Sequence, residues 1–191
     1  ALVNAAGPWV AGVLGGIVGL NLPAKVRMVK GSHIVVDRLY DHDRAYIFQN
    51  GDGRVCFAIP FHKQFTLIGT TDEDYSGDPA SPHIDDAETD YLIAAANEYF
   101  AESISRASIR WSYSGIRPLY DDGASEAKAA TRDYVLTLDA PPGAAPVLSV
   151  FGGKITTFRR LAEHALRDLS AHFPAMGGAW TRDAVLPGGD L

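Results

Sequence analysis

Cysteine is almost absent from this sequence: Cys56 is its single example, so no disulfide can close within the chain. It lies in the apolar run Val55-Cys56-Phe57-Ala58-Ile59, which predicts a buried, inert thiol. A lone cysteine also suits a reducing compartment. No apolar run reaches the roughly 20 residues that a membrane-spanning helix needs. The stretch from Val10 to Leu22 is interrupted by four glycines, which make it a poor helix interior, and its lack of a basic leader excludes a signal peptide. Cations are outnumbered: 17 Lys and Arg face 23 Asp and Glu, and the net charge of −6 argues against nucleic acid as a general partner. A small anion held by a few converging cations stays compatible with that field. The sequence has no HxxxH or Cys/His spacing, so no metal site is expected. Without GxSxG or GxxxxGK[ST], neither a hydrolase triad nor a P-loop is expected.

What is present is a globular composition, 47% hydrophobic over 191 residues, enough for one ordinary domain or two small ones with a core that needs no staples. Ala1–Ala6 reads as a short strand that enters a Gly-Pro turn, with a helix from Pro8, where a missing N–H costs nothing. From Arg27 to Thr70 the pattern is β-rich and antiparallel. Candidate strands cover 29–36, with His33 near the start of its apolar run, then 45–49, 54–60 and 65–69. Asn50-Gly51-Asp52-Gly53 is a hairpin turn. Asp85-Asp86-Ala87-Glu88 opens a helix with acids at its positive end, and Leu92, Ala95 and Ala96 lie on its apolar face. Further strands are expected at 109–116, 134–138 and 147–151, and a helix at about 156–171. The alternation is not a regular βαβ series, so the fold class is α+β: an antiparallel or mixed sheet with packed helices. The chain opens without Met on strand-like residues and closes in a Pro-Gly-Gly loop, so it reads as part of a longer polypeptide.

The clearest candidate site is Phe151-Gly152-Gly153-Lys154-Ile155-Thr156-Thr157. A strand runs through two glycines into a helix, whose free N–H groups suit an anion or the edge of a flavin; a plain capped turn is the competing reading. A second group is basic: His33, Arg117, Arg132 and Lys154. Arg117 is locked before Pro118, and guanidinium groups present paired donors to phosphate or carboxylate. Taken singly, each also reads as a surface ion pair, Arg132 beside Asp133 most readily. His33 is either a hydrogen-bonded core histidine or a proton acceptor. Gly69-Thr70-Thr71-Asp72 reads as a turn cap more readily than as a site wall.

Six blocks now carry a family resemblance: 5–9 (AAGPW), 30–36 (KGSHIVV), 68–72 (IGTTD), 113–119 (YSGIRPL), 131–134 (TRDY) and 149–157 (SVFGGKITT). In this order they resemble bacterial aerobic, FAD-dependent glycerol-3-phosphate dehydrogenase, and Leu186-Pro187-Gly188-Gly189 also fits. The resemblance implies a substrate domain of the glycine oxidase and D-amino-acid oxidase type at 27–146. It is flanked at 1–26 and 147–191 by pieces of the FAD-binding domain. It also implies oxidation of sn-glycerol 3-phosphate to dihydroxyacetone phosphate by hydride transfer to FAD, with quinone as electron acceptor; the alternatives are an amine or amino-acid oxidase of the same flavoprotein group, or a non-catalytic substrate-binding module. Homodimers and peripheral attachment to the inner face of the bacterial cytoplasmic membrane, through parts outside this chain, are implied too. By the same resemblance His33 and Arg117 are catalytic, and Arg117, Arg132 and Lys154 bind the substrate. Gly7, Pro8, Trp9, Gly152, Gly153, Lys154, Ile155, Thr156 and Thr157 contact the flavin. The GxGxxG strand that holds FAD pyrophosphate in this family has no counterpart here, nor has the family's C-terminal helical domain, so the chain alone is expected to be inactive.

Overall fold

The computed structural model describes residues 1–20, 26–121 and 133–190. Its strands are β1 (Leu2–Asn4), β2 (Val26–Asp37), β3 (Tyr46–Gln49), β4 (Val55–Phe61), β5 (Phe65–Gly69), β6 (Glu73–Asp74), β7 (Ile109–Tyr120), β8 (Val135–Asp139) and β9 (Val147–Phe151). The helices are α1 (Val10–Gly12), α2 (Asp86–Tyr99) and α3 (Phe158–Leu169), with short 3-10 turns between elements. Among the described residues, 1–20, 26, 118–121 and 133–190 form one compact unit, and 27–117 form a second.

The first unit is built on a sheet of order β1-β9-β8, with β1 parallel and β8 antiparallel to β9. Its central strand β9 is almost continuously apolar because both faces are covered. Val147 and Phe151 pack with Val10 and Leu14 on one side, while Leu148 packs with Ala165 and Leu169 of α3 on the other. The expected helix after Pro8 forms, but not as a plain α-helix. A 3-10 turn over Gly7–Trp9 leads through α1 into a π-helical stretch, Val13–Val18, that ends at Gly19 in the left-handed conformation. Glycines at 12, 15 and 16 leave that segment little helical preference of its own, so packing of Val10 and Leu14 sets its winding. Strand β8, grouped with the middle segment in the sequence reading, pairs with β9 in this unit, Leu138 opposite Leu148.

The second unit carries a sheet of order β3-β4-β5-β2-β6, antiparallel at each of those pairings, and β7 also pairs with β2. The Asn50–Gly53 turn joins β3 to β4 as expected, with Gln49 opposite Val55. Alternate residues of β2, β4 and β5, namely Ile34, Val36, Cys56 and Ile68, meet Leu92, Ala95 and Ala96 of α2. Burial pushes the Cys56 thiol up to about 11, which makes it the inert thiol its context predicts. Helix α2 starts at a reciprocal cap: Asp85 accepts from the Glu88 N–H (2.9 Å) and Glu88 accepts from the Asp85 N–H (3.1 Å).

The long strand β2 thus has two faces. Lys30, Ser32, Ile34 and Val36 point to α2, whereas Gly31, His33 and Val35 point away from it. The second face holds the candidate site.

Candidate active site

His33 is set in mid-strand, not at the strand's start, and directly opposite Gly69 of β5. A Cβ on Gly69 would overlap the imidazole, so this glycine is required for space and not for an unusual backbone angle. The ring stacks on Tyr113 of β7, with centroids 4.8 Å apart and planes 7° from parallel. Its Nδ1 is buried without a hydrogen-bond partner among the described residues, a position that costs about 1–3 kcal/mol when nothing satisfies it. Burial, and then the positive charge of Arg117, lower the His33 pKa below its ordinary 6.5. The imidazole is therefore neutral at neutral pH and able to accept a proton.

Arg117 lies over the backbone of Gly31, two residues along the same face of β2, where a Cβ would overlap its guanidinium. One nitrogen donates to Asp72 Oδ1 (2.9 Å) and to the Thr71 carbonyl (3.3 Å); the other donates to Thr70 Oγ1 (2.9 Å). Its side chain stays 31% exposed while Asp72 is 14% exposed, so the guanidinium is anchored on this wall and still reaches solvent. A cation anchored this way can hold an oxyanion with little ordering cost. The Thr70-Thr71-Asp72 segment, read from sequence as a turn cap more readily than a site wall, therefore holds Arg117 and lines the candidate site.

Sequence reasoning misses the groups behind this wall. Glu88 is 3% exposed and Lys30 7% exposed, and they pair at 2.8 Å. Burial works to lower the Lys30 pKa, but hydrogen bonds to Glu88 and Asp85 outweigh it and leave it raised. Two signals could have revealed the pair. Glu88 stands one turn before Leu92 on the apolar face of α2, and Lys30 shares its strand face with Ile34 and Val36.

In the first unit, β1 and β9 run parallel with Asn4 beside Ser149, so the turns that follow them leave from the same carboxyl edge. In such sheets that edge is where ligands bind. Gly7 (φ +56°), Gly152 (φ +68°) and Gly153 (φ +97°) hold the two turns in left-handed backbone that other residues rarely adopt. A Cβ on Gly152 would come within 3.0 Å of the Asp133 carbonyl. Lys154 and Ile155 are exposed at the start of the helical segment, where Thr157 Oγ1 hydrogen-bonds the Lys154 backbone. Trp9, Ile155 and Phe158 are each more than half exposed. Close backbone, a helix start and apolar surface fit one edge of a planar ring such as a flavin. Arg132 lies outside the described residues. The structure therefore brings His33 and Arg117 together in one unit and places Gly7–Trp9 and Gly152–Thr157 in the other.

These features are those of a flavin-dependent oxidoreductase, and the family comparison agrees: the FAD dependent oxidoreductase family (DAO) matches residues 1–159, and the chain belongs to it. The family's cofactor is FAD. Aerobic glycerol-3-phosphate dehydrogenase of Escherichia coli (strain K12) is 49% identical over 190 residues, 100% of this chain and 38% of that protein. D-erythritol 1-phosphate dehydrogenase of Brucella abortus (strain 2308) is 50% identical over 190 residues, again 100% of this chain and 38% of the relative. Among solved structures, glycerol-3-phosphate dehydrogenase from Bacillus halodurans complexed with FAD superposes with a TM-score of 0.72 at 30% identity. That match covers 94% of this chain and 33% of the other. The chain thus spans just over a third of the length of the curated relatives it matches. Among the described residues no helix is long and apolar enough to cross a membrane.

Proposed function

We propose that this chain supplies the substrate-recognition part of an FAD-dependent dehydrogenase that oxidises sn-glycerol 3-phosphate to dihydroxyacetone phosphate. The observation that carries the reading is the Arg117 guanidinium, anchored on Asp72, Thr71 and Thr70, on the same strand face as the neutral imidazole of His33, whose buried Nδ1 has no partner among the described residues. Arg117 binds the substrate phosphate and orients the carbinol carbon, so that binding energy lowers the barrier through positioning. His33 takes the hydroxyl proton as the C–H bond breaks and the carbonyl forms, directly or through one water. Bound FAD would supply the hydride acceptor for that oxidation. The Gly7–Trp9 and Gly152–Thr157 turns would hold an edge of the cofactor. Lys154 and Arg132 are further substrate-binding cations on the strength of the resemblance. Quinone as electron acceptor, a homodimer and peripheral membrane attachment belong to the same proposal and rest on that resemblance too. The 191-residue chain alone is inactive in this reading.

A second reading has the same chemistry and a longer polyol phosphate. It is favoured by the Brucella abortus D-erythritol 1-phosphate dehydrogenase, as similar to this chain as the glycerol-3-phosphate dehydrogenase of E. coli. The test is anaerobic bleaching of the flavin in the intact polypeptide by glycerol 3-phosphate, D-erythritol 1-phosphate, glycerol and glycine. Reduction by glycerol 3-phosphate at the lowest concentration supports the first reading. Preference for the four-carbon phosphate supports the second, and reduction by glycine alone overturns both. Adding a soluble quinone analogue to the reduced protein then tests the acceptor.

A further inference from the structure

The carboxylate of Glu88 is buried at the first turn of α2, on the far side of β2 from Arg117. Its Oε1 accepts from Ser32 Oγ (2.8 Å) and Thr71 Oγ1 (2.6 Å), and its Oε2 accepts from Lys30 Nζ (2.8 Å) and the Asp85 N–H (3.1 Å). One side chain therefore ties a helix start, a central strand and the segment after β5. The direction of each proton follows. Thr71 has one hydroxyl hydrogen, which it gives to Glu88, leaving its oxygen to accept from the Ser32 N–H (2.8 Å). Ser32 likewise gives its hydrogen to Glu88 and accepts from Ser114 Oγ (2.8 Å) on β7, three residues before Arg117.

Thr71 is fully buried, and its neighbours are the groups that grip Arg117: Thr70 Oγ1, the Thr71 carbonyl and Asp72 Oδ1. Thr71 faces Glu88 while Thr70 and Asp72 face the guanidinium. From this arrangement we infer that Glu88 is a positioning residue for anion binding, holding Arg117 in place through Thr71 and through the Ser32–Ser114 link. The inference rests on the reading of Arg117 as a substrate-binding cation. It does not depend on which phosphate is the substrate.

Glu88→Gln tests it in the intact FAD-loaded protein. The amide NH2 either meets Lys30 Nζ and the Asp85 N–H donor to donor, or turns to Ser32 Oγ and Thr71 Oγ1 and removes the acceptor of their hydroxyl hydrogens, so the clamp loosens although shape is kept. The KM for glycerol 3-phosphate and the Kd for inorganic phosphate are expected to rise about tenfold, with a smaller change in kcat. In an Arg117→Ala background the same substitution is expected to add nothing to either constant. Leu92→Ala, one turn further along the same buried face, separates positioning from general destabilisation: it is expected to lower Tm and leave both constants unchanged. Unaltered KM and Kd in a folded Glu88→Gln protein, or effects of Glu88→Gln and Arg117→Ala that multiply, would overturn the inference. If Glu88→Gln does not fold, Thr71→Val removes the hydroxyl at nearly constant shape and must raise both constants. A protein that oxidises no polyol phosphate refutes the proposed function alone, since phosphate binding still reports on Glu88. A phosphate affinity that Arg117→Ala leaves intact refutes this inference.

Discussion

Both units place glycine at their candidate sites, and they do so for different physical reasons. In the 27–117 unit, Gly31 and Gly69 lie within strands and outside the positive-φ region, and a side chain there would occupy the space of the Arg117 guanidinium or the His33 ring. In the other unit, Gly152 and Gly153 have positive φ, and Gly152 lies against the Asp133 carbonyl. The first pair leaves room for functional side chains that can move. The second lets the main chain turn, where neighbouring backbone cannot yield. Substitution should consequently damage function in one unit and folding in the other.

The sharpest test of the first half is Arg117→Ala, which removes the cation that the glycine accommodates. kcat/KM for the proposed substrate should fall about 10²–10³-fold, with KM and kcat both affected. An unchanged kcat/KM would remove Arg117 from its role. Gly31→Ala is expected to act in the same direction more weakly, about 10-fold to 100-fold, by pushing the guanidinium off its three acceptors. Its Tm should stay close to that of the unchanged protein. A large drop in Tm would mean that Gly31 serves the fold and that the comparison fails. Gly152→Ala should show the reverse, with Tm and flavin content falling together and a stability loss of about 1–3 kcal/mol from strained backbone.

The smallest expected effect concerns pH. The His33 pKa is lower in the folded protein than its ordinary 6.5, so the unfolded chain takes up the proton first as pH falls. The contribution of His33 to stability is complete above pH 6.5 and declines as pH drops below 6.5 through the folded value. Urea midpoints at pH 7.5 and 5.5 should differ less in His33→Gln than in the unchanged protein. In activity, the acidic limb of kcat/KM should lie below pH 6.5 if His33 is the proton acceptor. A limb above that value would assign the proton to another group.

Features that depend only on neighbouring residues are legible in the order of amino acids. Strand β9 follows from an unbroken apolar run, the β3–β4 hairpin from Asn50-Gly51-Asp52-Gly53, the start of α2 from its acidic first turn, and the Gly152–Gly153 turn from chain chemistry alone. Arg117 and His33 are singled out by residue type, and the α+β class by the irregular order of strands and helices. The tertiary structure alone decided what these residues touch. Asp72 reaches Arg117 across 45 positions, and Glu88 reaches Ser32 across 56. The π-helical winding after Pro8 and the pairing of β8 with β9 likewise follow from packing. The physical reason is register: one residue of slip in β2 would exchange its two faces, turning Gly31 and His33 toward α2 and Lys30 and Ser32 away from it. No local pattern specifies that choice, because it is made by the whole sheet as it packs Ile34, Val36, Cys56 and Ile68 against α2.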